Sequence, residues 1–271
     1  MSIYPANIAQ KLDYQSFDLS KISELKNRLP KNLIVRIYGL AGVGKGTVSK
    51  MIGEDLGIAN VETSFILRCA TYIYLDLKLE TTDINTDLVF SRMSVSIDDK
   101  ALNFVYNNRV ITSKELKTPQ IDKKVPILAQ NQYLRDKFDD TLDNLVQNLT
   151  LPFIADGRGS HEPYLVKAEK RGQPIIRILL DATDEVKAER YLAAFLVKNP
   201  DATTEDKLRI LEEFKNTIII RNQQDAKNIL EKNLGLISND SGLLDTSNFS
   251  ADQVLETSLD FISKKLTELG F

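Results

Sequence analysis

The sequence predicts a three-layer α/β/α fold, with a mainly parallel sheet covered by helices on both faces and a small antiparallel insertion. Three observations predict it. Short apolar, β-branched runs alternate with stretches of helical periodicity, the pattern of successive βαβ units. A glycine-rich turn, GLAGVGKGT, stands between the first of these runs and the helical pattern that follows it. One stretch, Met93–Thr112, breaks the alternation with short β-rich runs separated by turn-forming residues.

Taken in order, residues 1–31 stand apart as an accessory N-terminal segment. Leu19, Ile22, Leu25 and Leu29 recur at near-helical spacing behind Asp18, a candidate cap, and Pro30 ends that helix. The main domain, 32–271, opens with Leu33-Ile34-Val35-Arg36-Ile37-Tyr38, whose length and β-branching suit a buried strand. A helical pattern follows through Val48, Met51, Ile52 and Leu56. Further strands are expected at Ile58–Glu62, Pro152–Asp156, Pro174–Leu180 and Leu234–Ser238. Helices are expected at about 65–79, 118–149, 161–171, 184–198 and 203–232. The last helix starts at Ser250, where Ser250 and Gln253 form a capping box. Within Met93–Thr112, Asp98-Asp99 and Asn107-Asn108 mark the turns of two or three antiparallel strands.

Composition excludes several classes. Thirty-five basic against 38 acidic residues leave a net charge of −3, which argues against general nucleic-acid binding. One cysteine and one histidine exclude an intrachain disulfide and a zinc site of the usual kind. No run approaches the roughly 20 apolar residues of a membrane span. The first residues, MSIYPANIAQ, lack the basic start and apolar centre of a secretory signal. The expectation is a cytoplasmic protein, a monomer favoured, with small-molecule partners and neither nucleic acid nor membrane. Cys69 reads as a buried small hydrophobe, and Tyr72 and Tyr74 as packing residues.

Residues Gly39 to Lys45 have the Gly-x4-Gly-Lys spacing of a P-loop. Gly39, Gly42, Gly44 and Gly46 allow backbone N–H groups to turn inward around a phosphate, and the next helix directs its N-terminus at the same group. Lys45 is placed to reach the β- and γ-phosphates of ATP. The hydroxyl that usually follows the lysine is displaced by one residue, to Thr47. Asp156 ends the apolar run Phe153-Ile154-Ala155, the position from which such proteins hold the water shell of Mg²⁺. Thr47 and, through water, Asp156 are therefore the metal candidates. Asp156-Gly157-Arg158-Gly159 also fits the short Asp-x-x-Gly pattern of GTPases, but no Asn-Lys-x-Asp guanine reader follows.

Several ordered segments resemble the cytidylate kinase family of nucleoside monophosphate kinases. Gly-x-x-Gly-x-Gly-Lys-Gly-Thr is one. Val61-Glu62-Thr63-Ser64-Phe65-Ile66-Leu67-Arg68 stands where that family has Asp-(Ser/Thr)-Gly-Ala-x-Tyr-Arg. Lys117-Thr118-Pro119-Gln120-Ile121 is similar to its Arg-Thr-x-Glu-Val segment, and Arg135 lies where a base-contacting arginine falls. Ala155-Asp156-Gly157-Arg158 resembles Ala-(Asp/Glu)-Gly-Arg-Asp. Leu180-Asp181-Ala182-Thr183 resembles the strand before the lid. Arg221-Asn222-Gln223-Gln224-Asp225-Ala226-Lys227-Asn228 resembles Arg-Asp-x-x-Asp-x-x-Arg, and Leu244-Asp245-Thr246-Ser247 the closing strand and turn. The resemblance covers nearly the whole chain beyond the N-terminal segment.

It implies a P-loop kinase fold with a monophosphate-binding insertion at about 80–135 and a lid at about 187–225. It further implies ATP and Mg²⁺ as cofactors and CMP or dCMP as acceptor. Lys45, Arg158 and Arg190 would be catalytic, with Arg190 and Lys198 closing over the transferring group. Arg68, Arg135, Arg158, Arg221 and Asp225 would hold the substrate. Departures fall on the base and ribose contacts: Pro126 replaces a serine, Gly159 an aspartate and Asn228 an arginine, and in the lid an arginine pair is reduced to Arg190-Tyr191. Two other readings stay open. One is a kinase of the same fold acting on another small molecule, with Asp122 or Asp156 as base for a hydroxyl acceptor. The other is a nucleotide-binding regulator that has lost turnover.

Overall fold

A computed structural model describes residues 9–97, 102–157, 162–220, 222–223 and 241–271. The elements run β1 (Gln10–Leu12), α1 (Ile22–Arg28), β2 (Ile34–Gly39), α2 (Lys45–Leu56), β3 (Ala59–Glu62), α3 (Ser64–Asp76) and α4 (Asp83–Ser91). Next come β4 (Ser94–Ile97), β5 (Leu102–Tyr106), β6 (Arg109–Val110), α5 (Ser113–Leu116), α6 (Pro119–Leu128) and α7 (Gln132–Asn148). The remainder is β7 (Phe153–Gly157), α8 (Pro163–Lys170), β8 (Ile175–Asp181), α9 (Asp184–Lys198), α10 (Thr204–Glu213), a π-helical turn (Phe214–Ile219), β9 (Ser241–Asp245) and α11 (Ala251–Glu268).

Six strands form a sheet in the order β1-β9-β8-β2-β7-β3, every neighbouring pair parallel. Successive side chains of a strand point to opposite faces, and two buried clusters use that alternation. Val35, Ile37, Ile154 and Ile178 pack on one face with residues of α1, α2 and α11, such as Leu25, Ile52 and Leu259. Ile34, Phe153 and Ala155 pack on the other with Leu142 and Val146 of α7 and Leu165 and Ala168 of α8. Burial on both faces is why these strands read as continuous apolar runs.

The insertion is a three-stranded antiparallel sheet, β4-β5-β6, with its own core of Phe104, Tyr106 and Ile111 against Cys69, Ile73 and Tyr74 of α3. Its β5–β6 turn places Asn107 and Asn108 at φ of 51° and 57°, the left-handed pair of a two-residue hairpin. Cys69 is fully buried, and burial pushes its thiol well above its usual pKa. Tyr72 contacts Phe104 and Tyr106 edge-on, and the Tyr74 hydroxyl shares a 2.6 Å hydrogen bond with the Thr86 hydroxyl. Both tyrosines pack.

Several elements differ from the sequence expectation. The single helix expected over 118–149 is two, α6 and α7. Pro126 deprives α6 of a backbone donor near its end, and Asn131 restarts the helix by accepting from Leu134 N–H at 2.8 Å. Helix α4, capped by Thr82, lies where none was expected. The N-terminal segment supplies β1, paired with β9 at the sheet edge, as well as the expected helix. The strand expected at Leu234–Ser238 lies outside the described residues. Among those residues no helix is long and apolar enough to cross a membrane.

Candidate active site

Strand β2 ends at Gly39 and α2 begins at Lys45, so the glycine-rich run forms the turn between them. Gly42 and Gly44 adopt φ of +87° and +93°, in the left-handed region that favours glycine. A Cβ at Gly39 would lie 2.2 Å from Leu180 O, and one at Gly42 2.9 Å from Lys187 Cβ, so the neighbouring strand and helix leave no room for side chains. Gly44, the N-cap of α2, has no side chain to bond the N–H groups of the first turn. The Lys45 ammonium donates to Leu40 O across the loop at 2.7 Å. Thr47 is exposed on the first turn of α2.

Other elements grip this cradle from outside. The Arg190 guanidinium, on α9, donates to Val43 O at 3.2 Å and to Thr246 Oγ1 and O, each at 2.8 Å. Burial holds its pKa below the usual value. Asn222 accepts from Ala41 N–H at 3.1 Å and donates to Ala41 O at 3.4 Å. Lys187, buried beneath Gly42, pairs with Asp181 at 3.5 Å and Asp184 at 3.2 Å. Arg190 is thus seated at the base of the cradle.

Asp156 stands at the end of β7, beside Glu62 in the register of β3. Its Oδ2 lies 3.8 Å from where a Gly46 Cβ would be, so carboxylate and P-loop face one another. Its Oδ1 is buried with no hydrogen-bond partner. Burial and the Glu62 carboxylate push the Asp156 pKa up to about 6, against the opposing pull of Arg36 and Lys45. A buried carboxylate oxygen with a free lone pair, facing an anion cradle, fits Mg²⁺, which takes one or two carboxylates together with substrate phosphates. Among the described residues no group of three or more acidic, histidine or cysteine side chains forms a metal site by itself.

The acceptor-side candidates are more scattered. Arg68, on the second turn of α3, donates from Nη1 to Leu116 O at 3.1 Å and to Asp122 Oδ1 at 2.7 Å. Arg135, on the first turn of α7, donates to Ala129 O at 3.4 Å. Arg158, Arg221 and Asp225 lie outside the described residues, as do Gly159, His161 and Asn228. The structure thus brings together Lys45, the glycines, Asp156 and Arg190.

Sequence reasoning passed over three charged residues here. Arg36, only 1% exposed in the central strand β2, donates to Ala155 O at 3.1 Å and to Glu162 Oε1 at 2.7 Å. Burial raises the Glu162 carboxyl pKa, while the Arg36 charge pulls it back. Asp139, one turn beyond Arg135, is pushed up to about 7 by burial and by Glu162, against Arg135. A lone arginine within the run LIVRIY was the visible signal.

A cytidylate kinase family model matches residues 35–264. The chain belongs to the cytidylate kinase family. Family membership makes it a phosphotransferase of the nucleoside monophosphate kinase class and implies the use of ATP. A "Cytidylate kinase" from Clostridium botulinum (strain Loch Maree / Type A3) is 25% identical over 237 residues, covering 86% of this chain and 99% of that one. One from Fusobacterium nucleatum subsp. nucleatum is 26% identical over 239 residues, covering 88% and 99%. Among solved structures, a gluconokinase from Sinorhizobium meliloti 1021 aligns with a TM-score of 0.42 at 11% identity, covering 89% of this chain and 97% of that one, too distant to inform the site.

Proposed function

We propose that this cytidylate kinase family member transfers the γ-phosphoryl group of ATP to CMP or dCMP in the cytoplasm. The observation that carries the reading is the P-loop cradle set against the end of β7, with Asp156 facing Gly46. A phosphate monoester is already anionic near neutral pH and needs no general base, so positioning and charge stabilisation suffice. The cradle N–H groups and Lys45 hold the donor phosphates. Mg²⁺, when bound, neutralises phosphate charge, and Thr47 and, through water, Asp156 would hold it. Arg68 and Arg158 grip the acceptor phosphate in two-pronged geometry, with Arg221 and Asp225 assisting on the substrate side. Arg190 braces the cradle from below and stabilises developing charge. Arg135 donates to a base carbonyl.

The ion pair of Asp122 with Arg68 disfavours Asp122 as the base for a hydroxyl acceptor. Pro126 and Gly159 offer no side-chain acceptor for the amine of cytosine, so discrimination between CMP and UMP is expected to be weak. ATP consumption against CMP, dCMP, UMP, AMP, GMP and dTMP tests the reading. Turnover fastest with the cytidine nucleotides supports it. Turnover only with an acceptor outside this panel moves the chain to another substrate, and ATP binding without turnover on any acceptor makes it a regulator.

A further inference from the structure

We infer that Arg36 is the positioning residue of the acceptor side, tying strand β7, the start of α3 and the N-terminus of α8 into one unit. Its guanidinium bonds Ala155 O on one side and Glu162 on the other, so it grips the chain on both sides of residues 158–161. Thr63, the N-cap of α3, joins the same knot. Its backbone N–H donates to Asp156 O at 3.0 Å, and its hydroxyl lies 3.0 Å from Asp156 O and 3.4 Å from Glu162 Oε1. The packing is tight enough to exclude a side chain: a Cβ at Gly157 would lie 2.6 Å from Thr63 Oγ1 and 2.7 Å from Arg36 Nη2.

A charged pair this deeply buried is not explained by stability, because well-packed apolar residues in its place are often as good or better. What an apolar pair cannot supply is direction. The planar guanidinium fixes a carbonyl and a carboxylate at set angles, and lysine, a point charge, cannot span both. The inference rests on the reading that Arg68 and Arg158 serve the acceptor. The knot meets the donor side at Asp156, whose backbone carbonyl accepts from Thr63 while its carboxylate faces Gly46; the knot holds the Asp156 main chain. Arg36 faces β7 and α8 on the Ile34 side of the sheet, whereas Val35 and Ile37 point to the opposite face, beneath α2.

The test is the double variant Arg36→Met/Glu162→Gln, which removes both charges together and so strands neither. KM is measured for CMP and for ATP, with kcat, thermal midpoint and amide hydrogen exchange by mass spectrometry. The expected result is a rise of about tenfold or more in KM for CMP, the scale of a displaced binding group. KM for ATP is expected to stay within about twofold. Exchange across residues 157–162 is expected to quicken while the amides of 39–47 are unchanged. Unchanged kinetics in a folded double variant, or both KM values rising together, overturns the inference. If the parent protein phosphorylates no nucleoside monophosphate, the functional reading fails on its own, and exchange alone decides: equal rates across 157–162 in parent and variant overturn the positioning role. Should the double variant not fold, Arg36→Lys is judged by the same measurements.

Discussion

From Gly39 to Thr47 the donor cradle is one unbroken run of chain, shaped by backbone conformation and braced by Arg190 and Asn222. The side proposed for the acceptor instead draws on Arg36, Thr63, Arg68, Arg135, Asp139 and Glu162, carried by separate strands and helices. A contiguous cradle whose function lies in N–H groups and glycine conformations has few acceptable substitutions. A scattered set of side chains can change one member at a time. Of the departures from the family pattern, Pro126 lies in α6, whose Asp122 pairs with Arg68, and Tyr191 lies beside Arg190 in α9. The contrast predicts that single substitutions alter the choice of acceptor more readily than they remove phosphoryl transfer.

The largest expected effect tests the cradle. Lys45→Ala leaves the fold intact and lowers kcat about 100-fold or more, the scale of one electrostatic stabiliser. Steady-state turnover with circular dichroism checks it, and near-normal turnover would remove the cradle from the donor role. A smaller effect tests the separation of the two sides. Arg68→Lys keeps charge and loses the fork, so KM for the monophosphate rises about tenfold with KM for ATP unchanged. The reverse pattern in initial-rate kinetics would move Arg68 to the donor side.

The smallest effect concerns Asp139. In the folded protein its carboxyl holds a proton up to about pH 7, through burial first and the Glu162 charge second, whereas its ordinary value is 3.8. Arg135 and Lys167 oppose that shift and Asp136 adds to it. Between those two values the folded state binds the extra proton, so this residue's contribution to stability falls as pH rises through the window. Discounted for water access, Asp139→Asn is expected to be more stable than the parent by about 1–2 kcal/mol near pH 8 and equal to it below about pH 4. Urea denaturation at the two pH values checks this, and an identical difference at both would show that Asp139 titrates alike in the folded and unfolded chains.

The sequence carried the parallel sheet because its strands are buried on both faces, and it carried the hairpin because Asn107-Asn108 can take positive φ. Strand β1 was illegible: Gln10-Lys11-Leu12 has no apolar run, and its pairing with β9 makes it a strand. Pro126 and Asn131 were visible singly, but apolar periodicity on either side masked the break they cause together. In the site, the cradle was legible because its spacing is local. Arg36 and Glu162 lie 126 positions apart, and each alone reads as an ordinary charge until the sheet brings them together.

The sheet edge also sets an order of events during synthesis. Strand β1 leaves the ribosome well before its partner β9, with which it pairs Gln10 to Gly242. Gln15 bonds the Thr257 hydroxyl 242 positions away, and Arg28 reaches Ser263 of α11. Closing contacts of such span is slow compared with local pairing. Until β9 arrives, β1 has no place in the sheet and the outer edge of β8 is open, a template for strands of other nascent chains. A stall before Ser241 would therefore leave a sticky intermediate, and the arrival of β9 is what closes this edge.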